Sequence, residues 1–191
     1  MDLKSASVKH PQKFYPLSII DTHMEQRITQ VLDHKRIVHI IERMAWQIYE
    51  HHYQVDEIYL MGIKPRGNFL SRLLEEFIQK ISSITIHHYE IELDKDQPHV
   101  SDPVLTPALK DISNKHIVVV DDVLNTGSTL LYALKPLLKY RPASLSTAVL
   151  VDRNHKSFPV HCDVTGIQLS TSLQEHVFVD LSVHPFKVYL K

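Results

Sequence analysis

Two adjacent carboxylates, Asp121 and Asp122, precede the run Val123, Leu124, Asn125, Thr126, Gly127, Ser128, Thr129, and this stretch has the residue types and spacing best suited to chemistry. Gly127 lets backbone approach a ligand closely. The free N–H groups of a turn that opens a helix favour an anion, and Thr126, Ser128 and Thr129 add hydroxyl donors. A phosphate fits such a turn. The acids need the opposite: side by side they repel each other and a phosphate unless they face hydroxyl donors or a cation, and ribose hydroxyls with Mg²⁺ supply both. The run is not a Walker loop, since no G-x-x-x-x-G-K-[ST] occurs, nor is it a G-x-G-x-x-G dinucleotide turn. The plainer reading is a strand-to-helix turn whose acids are solvated caps. A second stretch, GIKPRG at 62–67, brings the cations Lys64 and Arg66, and its plainer reading is an exposed basic turn.

The flanking sequence supplies the elements that must position these groups. HIVVV (116–120) is a buried-strand run ahead of the acids, the pattern after the turn predicts a helix from about Ser128 to Tyr140, and SLSTAVLV (144–151) is another buried strand. EIYLMGI (57–63) reads as a strand ended by Gly62, and beyond the Lys64–Arg66 loop the spacing of Phe69, Leu70, Leu73, Leu74, Phe77 and Ile78 predicts a helix. Asp33 is placed to cap a helix whose apolar positions Ile37, Ile40, Ile41, Met44, Ala45 and Ile48 follow the i, i+3, i+4, i+7 pattern. SITIHHYEIEL (83–93) is β-branched and aromatic and reads as a strand; DKDQPHVSDP after it is polar, carries two prolines and reads as a mobile loop.

Alternating strands and helices imply an α/β fold with a mostly parallel sheet. Ligands settle in such sheets beyond the carboxyl ends of the strands, where strand order reverses, which puts both motifs on one crevice. After Asp152 the short strands HVFVDL and FKVYL read as a cap over the sheet. Residues 1–24, with Pro11 and Pro16, read as an extended arm, and 25–191 as one domain.

Composition narrows the class further. Of 191 residues, 43% are apolar and 23% charged, as in an ordinary globular protein, and a net charge of −1 provides no long-range pull toward polyanions. No apolar run approaches the ~20 residues of a spanning helix, and the polar start lacks a signal-peptide stretch, so a cytoplasmic protein without a membrane partner is expected. Cys162 is the only cysteine, which rules out an intrachain disulfide. The pairs His51/His52 and His87/His88 are not chelates by themselves, because sequence neighbours diverge on a helix and point to opposite faces of a strand.

Strand, acidic pair, T-G-S-T turn and helix together resemble the phosphoribosyl diphosphate motif of type I phosphoribosyltransferases. The second loop, in its wording G-I-K-x-R-G, resembles the PyrR subfamily, pyrimidine operon regulators with uracil phosphoribosyltransferase activity. The likeness continues through VVVDDVLNTGSTL, RPASLSTAVLVDRNH and the closing strands, over roughly residues 28–191. It implies the type I phosphoribosyltransferase fold, a central mostly parallel sheet flanked by helices with a small hood formed largely by the C-terminal part. By the same resemblance, residues 125–129, entered through Val123 and Leu124, cradle the 5-phosphate, and Asp121 and Asp122 bind the ribose hydroxyls directly or through metal-bound water. Lys64 and Arg66 belong to the diphosphate loop, a loop that often holds a cis peptide, here expected at Lys64–Pro65. Asp152 and Arg153 lie near the active site, and Val164 to Ser172 form the hood over the base.

Two departures stand out. Where PyrR proteins have L-Y-R-D-D, this chain has Leu93, Asp94, Lys95, Asp96, Gln97, so Lys95, a point charge without a bidentate fork, replaces the arginine that closes over diphosphate. Where the family tends to read G-K-N-I-P-T-S, the chain has Gly166, Ile167, Gln168, Leu169, Ser170, Thr171, Ser172.

The implied reaction transfers ribose 5-phosphate from phosphoribosyl diphosphate to a nucleobase, with Mg²⁺, Lys64, Arg66 and Lys95 stabilising the departing diphosphate. Uracil is the favoured base, a purine the alternative, and a homodimer or larger homo-oligomer is expected. Asn125 argues against hypoxanthine and guanine, whose enzymes place a proton-exchanging aspartate there. The alternative of another class is a nucleotide-sensing regulator that binds RNA. His155 and Lys156 resemble the family's basic hood region, but a near-neutral chain does not favour RNA.

Overall fold

The computed structural model describes residues 28–172 and 174–191. The expected arm, 1–24, lies outside them. The chain runs β1 (Thr29–Leu32), α1 (His34–His52), β2 (Glu57–Ile63), α2 (Arg66–Ile81), β3 (Thr85–Glu92), β4 (Val104–Thr106), β5 (His116–Leu124), α3 (Ser128–Leu134), β6 (Ser144–Asp152), β7 (Val164–Gln168), β8 (Val177–Asp180) and β9 (Lys187–Leu190). Helix α1 starts where expected: the Asp33 carboxylate accepts the Arg36 N–H at 2.8 Å, and Ile37, Ile41, Met44, Ala45 and Ile48 are buried along one face.

The main sheet has six strands in the order β4-β3-β2-β5-β6-β7, all parallel except β4. Its central strands are buried on both faces, and strand alternation divides their side chains between two cores. Val118 and Val120 of β5 join Leu60, Leu150 and the apolar faces of α1 and α2, whereas Ile117 and Val119 join Met61, Val149, Leu130 and Ala133 on the α3 side. After β2 the chain goes first to β3 on one side and then to β5 on the other, so strand order reverses between β2 and β5. The Lys64–Arg66 loop follows β2 and the Asn125–Thr129 turn follows β5, and both therefore open on that crevice. The Lys64–Pro65 bond is cis, as expected.

A separate antiparallel sheet, β1-β9-β8, forms the hood from both ends of the described chain. Four elements differ from the sequence reading. Strand β5 runs four residues past Val120 to Leu124, paired with β6 as far as Leu124 opposite Asp152, so the two acids lie inside the strand. Helix α3 stops at Leu134 rather than Tyr140, because Pro136 lacks an N–H and restricts Lys135 before it; a single 3₁₀ turn, Leu137–Lys139, follows. Val164–Gln168, expected in the hood, is the edge strand of the main sheet instead: Val164 and Gly166 are buried, and Ile167 lies opposite Val151. The hood is β1-β9-β8, and only residues from Leu169 onward lead toward it. Strand β4, a short antiparallel pairing on β3, had no sequence signal among its prolines. Among the described residues no helix is long and apolar enough to cross a membrane.

Candidate functional site

Asp121 and Asp122 are 2% and 4% exposed, an unusual burial for two adjacent carboxylates. Their compensation comes from the loop after β3: the Lys95 ammonium lies 2.8 Å from one Asp121 oxygen and 3.4 Å from one Asp122 oxygen. Burial, and then the charge of Asp122, push the Asp121 carboxyl well above the ordinary carboxylate range, with Lys95 pulling the other way. Burial works against the charge of Lys95 too, yet the two carboxylates hold its pKa above the usual lysine value.

Beyond the acids the chain turns into α3 through Gly127, whose φ of +89° lies in the left-handed region that glycine adopts without steric cost. The turn is held from outside: the Thr126 carbonyl accepts the Ser157 and Phe158 N–H groups at 2.9 and 3.0 Å. Lys95, Asp121 and residues 123–130 line one cavity of about 140 Å³, so Asp121, the hydroxyl-rich turn and the loop lysine face the same space, with Asp122 joined to it through Lys95.

The Lys64–Arg66 loop adjoins it. Gly67 packs so tightly on β5 that a Cβ there would come within 2.6 Å of the Val120 carbonyl and 2.7 Å of the Asp121 Cα. This closeness lets Arg66 lie 3.9 Å from the second Asp122 oxygen while its guanidinium sits 5.6 Å from the Phe178 ring of the hood. A cavity of about 290 Å³ opens there between Pro65, Arg66 and Phe69 on one side and Phe178, Asp180, Ser182 and Tyr189 on the other. Lys64 turns away from the acid pair: its ammonium is 3.0 Å from Glu90 and 3.2 Å from Glu92, and the hydrogen bonds it donates to Glu90 and then to Glu92 raise its pKa. Asn68 donates to the other Glu90 oxygen at 3.0 Å.

Asp152 and Arg153 are buried beside the end of β6, with their polar groups engaged internally. Asp152 accepts the Asn154 N–H at 2.9 Å and the Lys156 ammonium at 2.8 Å. Arg153 donates to the Thr171 hydroxyl at 3.0 Å and to the Ser172 and Glu175 carbonyls at 3.0 and 2.6 Å, tying the end of the main sheet to the approach to the hood. The structure thus gathers Asp121, Lys95 and residues 123–129 around one cavity, sets Asp122 beside it between Lys95 and Arg66, and places Lys64, Asp152 and Arg153 further out.

Sequence reasoning passed over Glu90, Glu92 and Asn68. The signal was available: acids two apart at a strand end share a face and call for a nearby cation. The aromatic wall of Phe178 and Tyr189 carried no such signal, since it depends on how the hood folds back.

A family model, phosphoribosyl transferase domain, matches residues 27–183. A Bifunctional protein PyrR of Limosilactobacillus reuteri is 35% identical over 159 residues, covering 78% of this chain and 89% of the relative. One of Macrococcus caseolyticus is 33% identical over 176 residues, 88% of this chain and 100% of the relative. Among solved structures, the hypoxanthine phosphoribosyltransferase of Trypanosoma cruzi superposes with a TM-score of 0.68 at 17% identity, over 85% of this chain and 95% of that one, a likeness of fold. With an α/β sheet that opens its acid pair and glycine turn at the strand switch, and with a family match over most of its length, the chain belongs to the phosphoribosyl transferase domain family.

Proposed function

We propose that this chain, through a catalytic unit spanning residues 25–191, transfers ribose 5-phosphate from phosphoribosyl diphosphate to uracil and releases diphosphate. The observation that carries the reading is the cavity in which the buried Asp121 faces the Asn125–Thr129 turn, with Asp122 beside it linking Lys95 to Arg66 of the neighbouring loop. The turn offers backbone N–H groups and hydroxyls to the 5-phosphate. Asp121 and Asp122 accept from the ribose hydroxyls, charge-assisted bonds that fix the sugar. Arg66, already at the edge of the acids, faces the diphosphate as its charge develops, and Lys64 of the same loop joins it on leaving Glu90 and Glu92. The bond from C1 to the diphosphate oxygen breaks, the bond from C1 to the uracil nitrogen forms, and the proton of that nitrogen passes to solvent. No side chain is needed as a base for so good a leaving group.

The acids also suit Mg²⁺, a hard cation commonly held by one or two carboxylates together with substrate oxygens. The raised pKa of Asp121 marks a desolvated pair with a demand for positive charge. When bound, Mg²⁺ neutralises charge on the diphosphate.

The PyrR relatives support a pyrimidine base, and Asn125, which has no proton to relay, supports it independently. One relative from Lactococcus lactis, 32% identical over 158 residues, is named Pyrimidine operon regulatory protein, which motivates the second reading, a nucleotide-sensing regulator. Its basic candidates are engaged internally, Lys156 with Asp152 at 2.8 Å and His155 with the Thr171 carbonyl at 2.6 Å, so they present little free charge to RNA. Incubating the protein with phosphoribosyl diphosphate, Mg²⁺ and each nucleobase in turn, and following diphosphate release, tests the proposal. Release with uracil is expected; no release with any base would favour the regulator.

A further inference from the structure

A lysine that closes over diphosphate belongs in a loop facing the phosphates, yet Lys95 points into the acid pair. Its ammonium contacts both carboxylates, at 2.8 and 3.4 Å, and both are almost completely buried. The loop conformation that directs it there is locally held. Asp94 accepts the Asp96 and Gln97 N–H groups at 2.9 and 3.0 Å, which curls the chain around Lys95, and Asp102 further along is paired with Lys135 of the segment after α3 at 2.7 Å. The ammonium thereby takes the place on the acids where ribose hydroxyls and a divalent cation would sit, in a cavity of only about 140 Å³. Two cations cannot share those oxygens at such distances without strong repulsion.

Resting on the phosphoribosyltransferase reading, we propose that Lys95 is the resident counter-ion of Asp121 and Asp122 in the substrate-free protein. It keeps divalent metal off the pair until phosphoribosyl diphosphate arrives with its own. The substrate then displaces the ammonium, which moves onto the negatively charged diphosphate and takes its loop with it. Metal binding is consequently ordered: it accompanies the substrate and does not precede it. An arginine could not serve in the same way, because its broad planar fork spreads its charge over several donors, whereas the compact ammonium of lysine substitutes for a small ion.

The test uses Mn²⁺ as a paramagnetic probe with the full-length chain, free Mn²⁺ being read by electron paramagnetic resonance. Without substrate, the wild-type protein is expected to bind Mn²⁺ weakly, and Lys95→Met about ten-fold or more tightly, since a cation within ~4–6 Å shifts a charge-binding equilibrium by a factor of ten or more. Lys95→Met combined with Asp122→Asn should return to weak binding, which would place the gained site on the acids. Adding phosphoribosyl diphosphate to wild type should bring Mn²⁺ onto the protein. Equal Mn²⁺ affinity of wild type and Lys95→Met without substrate would overturn the proposal. If Lys95→Met does not fold, tight Mn²⁺ binding by substrate-free wild type overturns it in the same way, and substrate-dependent uptake supports it. Failure of the underlying reading is distinguishable: calorimetry would then show no binding of phosphoribosyl diphosphate to wild type with Mg²⁺ present.

Discussion

Asp122 is almost completely buried and offers one oxygen to Lys95 and the other to Arg66, so its charge is shared between two cations before any ligand arrives. Replacing it with asparagine keeps the volume and removes the charge. A hydrogen bond to a charged group contributes about 1.5–3 kcal/mol, and Asp122→Asn is therefore expected to weaken phosphoribosyl diphosphate binding about ten-fold or more with the circular dichroism unchanged. Calorimetry with Mg²⁺ checks this, and undiminished affinity would remove Asp122 from the sugar site. Asn125 lines the cavity beside Asp121, and in the proposed function it discriminates against hypoxanthine and guanine. A positioned acid or base contributes roughly 100- to 10,000-fold, and an amide cannot exchange a proton near neutral pH. Turnover with uracil is expected, with kcat/KM for hypoxanthine or guanine lower by about a hundred-fold or more; parity with either purine would refute the pyrimidine assignment. At this scale the sequence was most legible. The acids and the glycine turn are contiguous, so their chemistry could be read without knowing the fold. Lys95 was legible as a cation of the site but not in its contact, because nothing in residues 93–97 reveals that the loop folds back onto β5.

In the proposed function the turn between β5 and α3 carries phosphate binding, and it is braced by residues 157 and 158 of the loop after β6. At Gly127 a Cβ would meet the Val160 Cβ at 3.4 Å and the Phe158 carbonyl at 3.5 Å, tolerable contacts, but the φ of +89° is strained for any β-branched residue. Gly127→Val is accordingly expected to abolish phosphate binding by shifting the turn while the two cores stay packed. Native circular dichroism together with normal substrate binding would show that residues 125–129 are not the cradle. Elements were read correctly where one periodicity ran unbroken, as in α1, α2 and β2. They were misread where the deciding constraint was elsewhere. Pro136 ended α3 early, β5 gained length only from its pairing with β6, and β7 was drawn into the main sheet by its register with Val151, a contact that no local pattern announces.

For the molecule as a whole, stability is tied to pH through a half-buried histidine between β3 and α2. His88 of β3 hydrogen-bonds the Ser71 hydroxyl of α2 at 2.7 Å, and its other ring nitrogen is buried with no partner among the described residues. Burial, and then the charge of Arg72, lower its pKa from 6.5 to about 4. The depressed folded value means that the unfolded chain binds the proton more readily, so this contribution is complete above pH 6.5 and is lost as pH falls toward about 4. Allowing for partial exposure, it amounts to on the order of 2 kcal/mol. His52, lowered by burial, acts in the same direction. Urea unfolding of wild type is expected to show falling stability across that window, and His88→Asn, which keeps a donor for Ser71, should flatten part of the slope; an unchanged slope would locate the effect elsewhere. The mostly parallel α/β architecture followed from alternating strands and helices, and the closing strands β8 and β9 read as a cap. The strand order and the place of β1 beside β9 did not, since that pairing joins segments at opposite ends of the described chain.

That pairing also bears on how the chain is made. Among the described residues, the early strand β1 has only β9 as its partner, and β9, the middle strand of its sheet, is also the only partner of β8. During synthesis, then, β1 leaves the ribosome with an open edge and keeps it until residues 187–190 have emerged, long after the parallel sheet has the strands it needs. A released chain truncated after Phe186 is expected to protect β2, β5 and β6 from amide exchange while leaving β1 and β8 unprotected, and restoring residues 187–191 should protect both together. Protection of β1 in the truncated chain would show that it finds its place without β9.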